Sequence, residues 1–167
     1  DTKARLSTAY RNQWPNLTGN YQTSMLNFYQ YIPKLNGYGG INYMYDISAN
    51  TIFQKSLSIF YSQNIKLKKF LIRPSIEAGY TSRYVDWSKL TFGDMIDPQQ
   101  GFVYQNGDVP KSSTTYFDLN VGTVFYFKKL LIGLSAHHIN KPSNSIIEGS
   151  DSRLPINYGA QLSYVLE

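Results

Sequence analysis

Between residues 54 and 84, polar and apolar positions alternate almost without a break. Ser56, Ser58, Phe60, Ser62 and Asn64 share one parity, and Leu57, Ile59 and Tyr61 hold the other. Past a turn at Lys66, Lys68 and Lys69, the residues Phe70, Ile72, Ile76, Ala78 and Tyr80 alternate with Arg73, Ser75, Glu77, Gly79 and Thr81. A period of two marks a strand, because successive side chains leave opposite faces. Both runs exceed the roughly 5–6 residues usual in soluble sheets and match the roughly 9–11 that a tilted strand needs to cross a bilayer. One face is apolar and aromatic and the other is small and polar, so the pair predicts a membrane hairpin.

The same alternation recurs along the chain. Ala4 to Gln13 sets Leu6, Thr8 and Tyr10 against Arg5, Ser7, Ala9 and Arg11, and Trp14–Pro15 ends the run because proline cannot donate to a ladder. A second strand from about Tyr21 to Tyr31 is less clean, since Leu26 and Phe28 share a parity with Gln22, Ser24 and Gln30. Gly39 to Tyr45, Tyr116 to Phe127, Leu130 to His137 and Ile156 to Tyr164 complete a set of eight predicted strands. Connections at 32–37, 66–69 and 128–129 are short, whereas 85–114 and 140–154 are long and fall at the opposite end. Up-and-down outer-membrane barrels have short periplasmic turns and longer external loops. The expected fold is therefore an all-β, antiparallel up-and-down transmembrane β-barrel, one domain over 1–167, starting from the periplasmic side.

Composition sharpens this. With no run of 18 apolar residues a spanning helix is ruled out, but a barrel signals itself only by alternation. Fifteen Tyr, 9 Phe and 2 Trp, mostly at strand ends or on the apolar parity, suit aromatic girdles at two lipid–water boundaries. A soluble tyrosine-rich sandwich is the composition's other reading. Cysteine is absent, so disulfides and thiolate metal sites are unavailable. No signal peptide precedes Asp1, as expected of a mature or excerpted chain. The net charge of +5 is sorted by end. Lys34, Lys66, Lys68, Lys69, Lys128 and Lys129 fill the short turns, while the long loops carry Asp86, Asp94, Asp97, Asp108, Glu148 and Asp151 against Lys89, Lys111, Lys141 and Arg153. That sorting does not make a phosphate-tracking stripe, so no nucleic-acid partner is expected; it suits one barrel end over an anionic phospholipid leaflet.

Candidate chemistry is sparse, and neither a catalytic centre, a metal site nor a cofactor is expected. Adjacent strand residues such as His137 and His138 point to opposite faces and cannot share one ion. Ser135 and His137 share a face but lie about 6.6 Å apart, too far for a nucleophile and its base. Arg5, Arg73, Glu77 and Asp118 are candidates for a polar lumen network, since charges inside a narrow barrel need partners. Arg73 and Glu77 are too far apart along one strand to meet, so cross-strand pairing with Asp118 or Arg5 is expected. At the strand-to-loop border Arg11, Asn12, Gln13 and Trp14 are partner-binding candidates, as are Trp87, Phe92 and Phe102 in the long loop. Unstructured connections beyond roughly 12–15 residues are usually functional or disordered, and these aromatics argue against disorder.

Arg5-Leu6 followed by Tyr10-Arg11-Asn12-Gln13-Trp14 resembles the early "YRNQW" signature of the PorP/SprF family. Gly39-Gly40-Ile41, Tyr61 before a basic turn, the Asp86 loop, Phe125-Tyr126-Phe127 and Ile132-Gly133-Leu134-Ser135-Ala136-His137-His138, then Lys141-Pro142, fit the same pattern. The resemblance implies a non-catalytic integral outer-membrane component of the Bacteroidota type IX secretion system. It also implies the partners: outer-membrane lipid, periplasmic ring lipoproteins, and a secreted cargo such as a gliding adhesin held at the surface. The family's asparagine–proline–alanine segment and its C-terminal strands have no counterpart here, so the chain is expected to be part of a larger barrel. A passive pore is the alternative class, and an outer-membrane lipid hydrolase a more distant one.

Overall fold

Alternating segments this long can satisfy their backbones only by pairing side by side, and they do. The computed structural model describes residues 3–16, 19–90, 96–97, 101–102, 112–146 and 152–166. In chain order the strands are β1 (Ala4–Gln13), β2 (Tyr21–Ile32), β3 (Gly37–Ser48), β4 (Ile52–Gln63), β5 (Ile65–Leu67), β6 (Phe70–Val85), β7 (Ile96–Asp97), β8 (Gly101–Phe102), β9 (Ser113–Phe127), β10 (Leu130–His137) and β11 (Asn157–Tyr164). One sheet has the order β1-β2-β3-β4-β6-β9-β10-β11, every neighbour antiparallel, and β5 carries the β4 register onward along β6. This sheet curls into a half-barrel whose edges are β1 and β11. The eight strands on its path are the eight that alternation predicts.

Several boundaries differ from expectation. Lys66 belongs to β5 rather than to the turn, which narrows to residues 68–69. The strand β3 is five residues longer than its apolar stretch indicates, over Gly37–Ser48 rather than Gly39–Tyr45, because pairing with β2 and β4 extends it. Its hairpin to β4 is tight, with Ala49 and Asn50 both left-handed (φ 52° and 58°) and Thr51 N–H donating to the Ser48 carbonyl at 3.1 Å. Two successive left-handed residues give the twist that matches right-handed strands. The long connections also have structure: a 3-10 turn at Trp87–Lys89, the separate β7–β8 pair, and a bridge between Ser143 and Arg153.

Register places every apolar parity on one side. Leu6 sits opposite Phe28, Phe28 opposite Ile41, Ile41 opposite Ile59, Ile59 opposite Ala78 and Ala78 opposite Leu119. A lower row joins Ile72, Phe125, Ile132 and Leu162. These side chains are not packed away: Leu57 is 52% exposed and Ile59 61%, whereas Ser62, Thr81 and Asp118 on the inner face are 7%, 6% and 9% exposed. Among the described residues Val85, at 5% exposure, is the lone buried hydrophobic. A soluble sandwich buries its apolar face against a second sheet. Here the apolar face is outward and the polar face inward, which removes the sandwich reading.

Outward aromatics gather near both ends of the strands. Phe53 contacts Tyr84 at the loop end (ring centroids 6.0 Å apart), and Phe70 stacks on Phe127 at the turn end (4.8 Å). Tyr84 lies fourteen residues beyond Phe70 on β6. At a rise of about 3.3 Å and a tilt of about 40° that is about 35 Å of depth. The two aromatic rows thus bracket an apolar band as tall as a bilayer's hydrocarbon of about 30 Å. The less regular second strand fits as well, since Leu26 and Phe28 occupy the middle of the outer face while Gln22, Ser24 and Gln30 lie toward its ends.

Candidate functional site

The concave face carries the polar residues, and they sort into two regions. Toward the loop end, β4, β6, β9 and the segment after β10 enclose a hollow of about 450 Å³. Short side chains on β4 leave room for two carboxylates. Ser58 Oγ donates to Glu77 Oε1 at 2.5 Å, Asn42 Nδ2 donates to Ser58 Oγ at 3.4 Å, and Ser56 and Thr81 hydroxyls share a bond of 2.9 Å. Asp118 holds the ring of His138, whose Nδ1 lies 2.9 Å from each carboxylate oxygen. An ionised carboxylate only accepts, so the proton at that contact sits on Nδ1.

His138 reaches inward because β10 ends one residue earlier. Its φ of 59° turns the chain, and both His137 and His138 line the same hollow. The expectation that the two histidines face opposite sides is therefore corrected: it holds for a continuing strand, and this one stops. The turned segment is fastened to β9 by side chains standing in for backbone. His138 N–H donates to Asn120 Oδ1 (3.0 Å), while Asn140 accepts from Leu119 N–H (3.1 Å) and donates to the Phe117 carbonyl (2.7 Å). Among the described residues no group of three His, Cys, Asp or Glu could hold a metal ion. The arrangement orders a loop over the lumen. Replacing Asp118 with Ala removes a charge-assisted bond worth about 1.5–3 kcal/mol. Amide exchange at His138 and Ile139 is expected to accelerate accordingly, with exchange at Ile59 unchanged.

The proposed charge pairs form differently from expectation. Glu77 and Asp118 do border one hollow, but Glu77 takes Ser58 and Asp118 takes His138. Arg73 lies toward the turn end, where its Nε donates to Asn64 Oδ1 at 2.8 Å and its guanidinium faces the rings of Tyr38 (5.0 Å) and Tyr126 (5.5 Å). Arg5 is inward on the edge strand β1, opposite Tyr29, and is joined to none of the three by any described contact. Tyr29, Tyr31, Tyr38 and Tyr126, which stand around or near Arg73, were missed as inner-face residues. Their place on the polar parity was the available signal.

At the loop end, Arg11 and Gln13 face inward, and Asn12 faces outward and accepts from Asn20 Nδ2 at 3.3 Å. Trp14 is exposed, left-handed (φ 53°) and edge-on to Tyr21 at 5.4 Å. Trp87 is half-buried in the 3-10 turn after β6, Phe102 lies in β8 opposite Ile96, and Phe92 lies outside the described residues. The structure thus does not bring these aromatics into one described patch. The turn bearing Trp87 is pinned to the β3–β4 hairpin: Asp86 N–H donates to the Thr51 carbonyl (2.9 Å) and Lys89 Nζ to the Asn50 carbonyl (3.0 Å). The Ser88 hydroxyl, donating at 2.6 Å, and Lys89, at 3.3 Å, hold the Asp86 carboxyl below the usual carboxylate range.

An apolar exterior, a polar concave interior and a meander of long strands are what a membrane-embedded strand protein requires. All of residues 1–167 match the family described as "Type IX secretion system membrane protein PorP/SprF". No curated protein and no solved structure matches the chain. The protein belongs to the PorP/SprF family of type IX secretion system membrane proteins.

Proposed function

We propose that this chain is a non-enzymatic outer-membrane β-barrel component of the type IX secretion and gliding machinery that helps export a secreted partner, such as an adhesin, or holds it at the surface. One domain over 1–167 contributes strands to the barrel. The observation that carries this reading is the outward apolar face, continuous in register from Leu6 to Leu119 and bracketed by aromatic rows. A catalytic role is not needed to account for the inner face, whose carboxylates Glu77, Asp118 and Asp46 are bonded to Ser58, to His138, and to Thr23 and Ser48. Lysine-rich turns lie on the periplasmic side, where the ring lipoproteins of the machinery meet them. The opposite end, with Trp87, Phe92 and Phe102 on one loop and Arg11 to Trp14 on the border of another, meets the cargo.

The test is surface retention of the adhesin in cells carrying Trp87→Ala, Phe92→Ala and Phe102→Ala together. Retained barrel in the outer membrane with adhesin lost to the medium is the expected result. Unaltered retention by a correctly inserted triple variant would remove this loop from the contact. Fractionation of the unaltered protein into the inner membrane would overturn the location.

A further inference from the structure

We propose that the turn end of the concave face is a binding trough for an acidic peptide segment. It is built around Arg73. The Asn64 amide oxygen fixes Arg73 Nε at 2.8 Å, and Tyr38 and Tyr126 hold the guanidinium plane at 5.0 and 5.5 Å. Asn64 is itself locked: its N–H donates to the Asn36 carbonyl at 2.8 Å, and Asn36 Nδ2 returns a bond to the Asn64 carbonyl at 2.8 Å. The Tyr31 hydroxyl then donates to Asn36 Oδ1 at 3.0 Å. Asn36 can serve both because it is left-handed, with φ 46°. Every element of this cage is spent on holding the guanidinium, yet among the described residues nothing accepts from its terminal nitrogens. A pinned arginine fork with free terminal N–H groups matches a carboxylate's two oxygens.

The surroundings extend the match. A hollow of about 210 Å³ is lined by Lys3, Lys66 and Arg73 with Tyr31 and Tyr38, and no acidic side chain lines it. A second hollow of about 260 Å³ adjoins it, sharing Tyr38 and Arg73 and walled by Tyr29 and Phe60. Lys3 precedes β1, Lys66 is on β5 in line with β4, and Arg73 is on β6. The three cations come from strands up to four positions apart in the sheet and converge on one hollow from different sides. The two adjoining hollows, about 210 and 260 Å³, are longer than one phosphate fills and suit a peptide with several carboxylates. Phospholipid is excluded by geometry, because its acyl chains lie against the outer face and these side chains are on the inner one. Aromatic walls receive the apolar parts of such a peptide, and charge supplies its orientation.

This inference is independent of the loop-end contact proposed above, so either can fail alone. The full chain in detergent is titrated with fluorescein-labelled hexaglutamate, followed by anisotropy. Saturable binding that weakens with added salt is expected, and hexaglutamine should not bind. Arg73→Gln should weaken binding about tenfold or more, and Arg73→Lys by less, since it keeps charge but loses the fork. If Arg73→Gln fails to fold, as judged by heat-modifiable migration, the exposed pair Lys3→Gln/Lys66→Gln decides, with a loss of about tenfold expected for two ionic contacts. Equal binding by hexaglutamine, or undiminished binding by the folded variants, overturns the proposal. So does full displacement by inorganic phosphate at equal concentration, or Arg73-dependent capture of anionic phospholipid vesicles without peptide.

Discussion

Arginine at Ile59 is expected to cost the membrane-inserted protein about 2–4 kcal/mol, the penalty of a cation at mid-bilayer on a barrel's lipid face. Ile59 is mid-strand, 61% exposed on the outer side, and flanked in register by Ile41 and Ala78. Arginine at Ser58, one residue earlier, is expected to cost far less. Its side chain would point into the polar hollow beside Glu77, which already accepts from Ser58. Two identical chemical changes at adjacent positions thus have very different outcomes, because a strand turns its faces every residue. Urea unfolding in phospholipid vesicles, followed by heat-modifiable migration, measures both. A Ser58→Arg protein as unstable as the Ile59→Arg protein would reverse the assignment of inside and outside.

Valine at Gly40 is expected to destabilise the sheet by about 3 kcal/mol, the upper part of the overpacking range. A Cβ there would overlap the Phe28 carbonyl oxygen and approach the Phe60 ring at 2.6 and 2.7 Å. Phe60 lies directly opposite Gly40 and covers it on the inner face. Truncating the ring relieves only half of the conflict, since the carbonyl belongs to the backbone of β2. The double variant Gly40→Val/Phe60→Ala should therefore remain well below the unaltered protein in the same unfolding assay. Gly133 provides the contrast. Its added Cβ would meet nothing nearer than Gln161 Cβ at 3.6 Å, so Gly133→Ala is expected within about 0.5 kcal/mol of the starting protein.

Alternation exposed the strands because a lipid-facing sheet must keep strict parity, and Leu57, Ile59, Ile76 and Tyr80 keep it. Their facing could be read before any pairing was known. What alternation could not give is which inner residues meet, since that depends on register between strands far apart in sequence. Arg73 thus finds Asn64 across one hairpin and Tyr126 across a 53-residue separation, not the carboxylates that charge alone nominates. His138 escaped for a different reason. Its inward position follows from a left-handed backbone just after the last ladder residue; the strand's end at His137 was legible, but the direction of the turn that follows was not. The continuation of β4 into β5 was hidden by the lysines, which look like turn residues although Lys66 is paired with Leu71.

The two outermost strands carry a further consequence. Each has a row of amide and carbonyl groups turned away from its single neighbour, and β11 shows every residue exposed. Water can solvate such a row, but hydrocarbon cannot, and each orphaned group there costs several kcal/mol. In the bilayer, then, β1 and β11 are adhesive: some other polypeptide backbone must lie along them, and whichever one does will be bound by the main chain itself with little regard for its sequence.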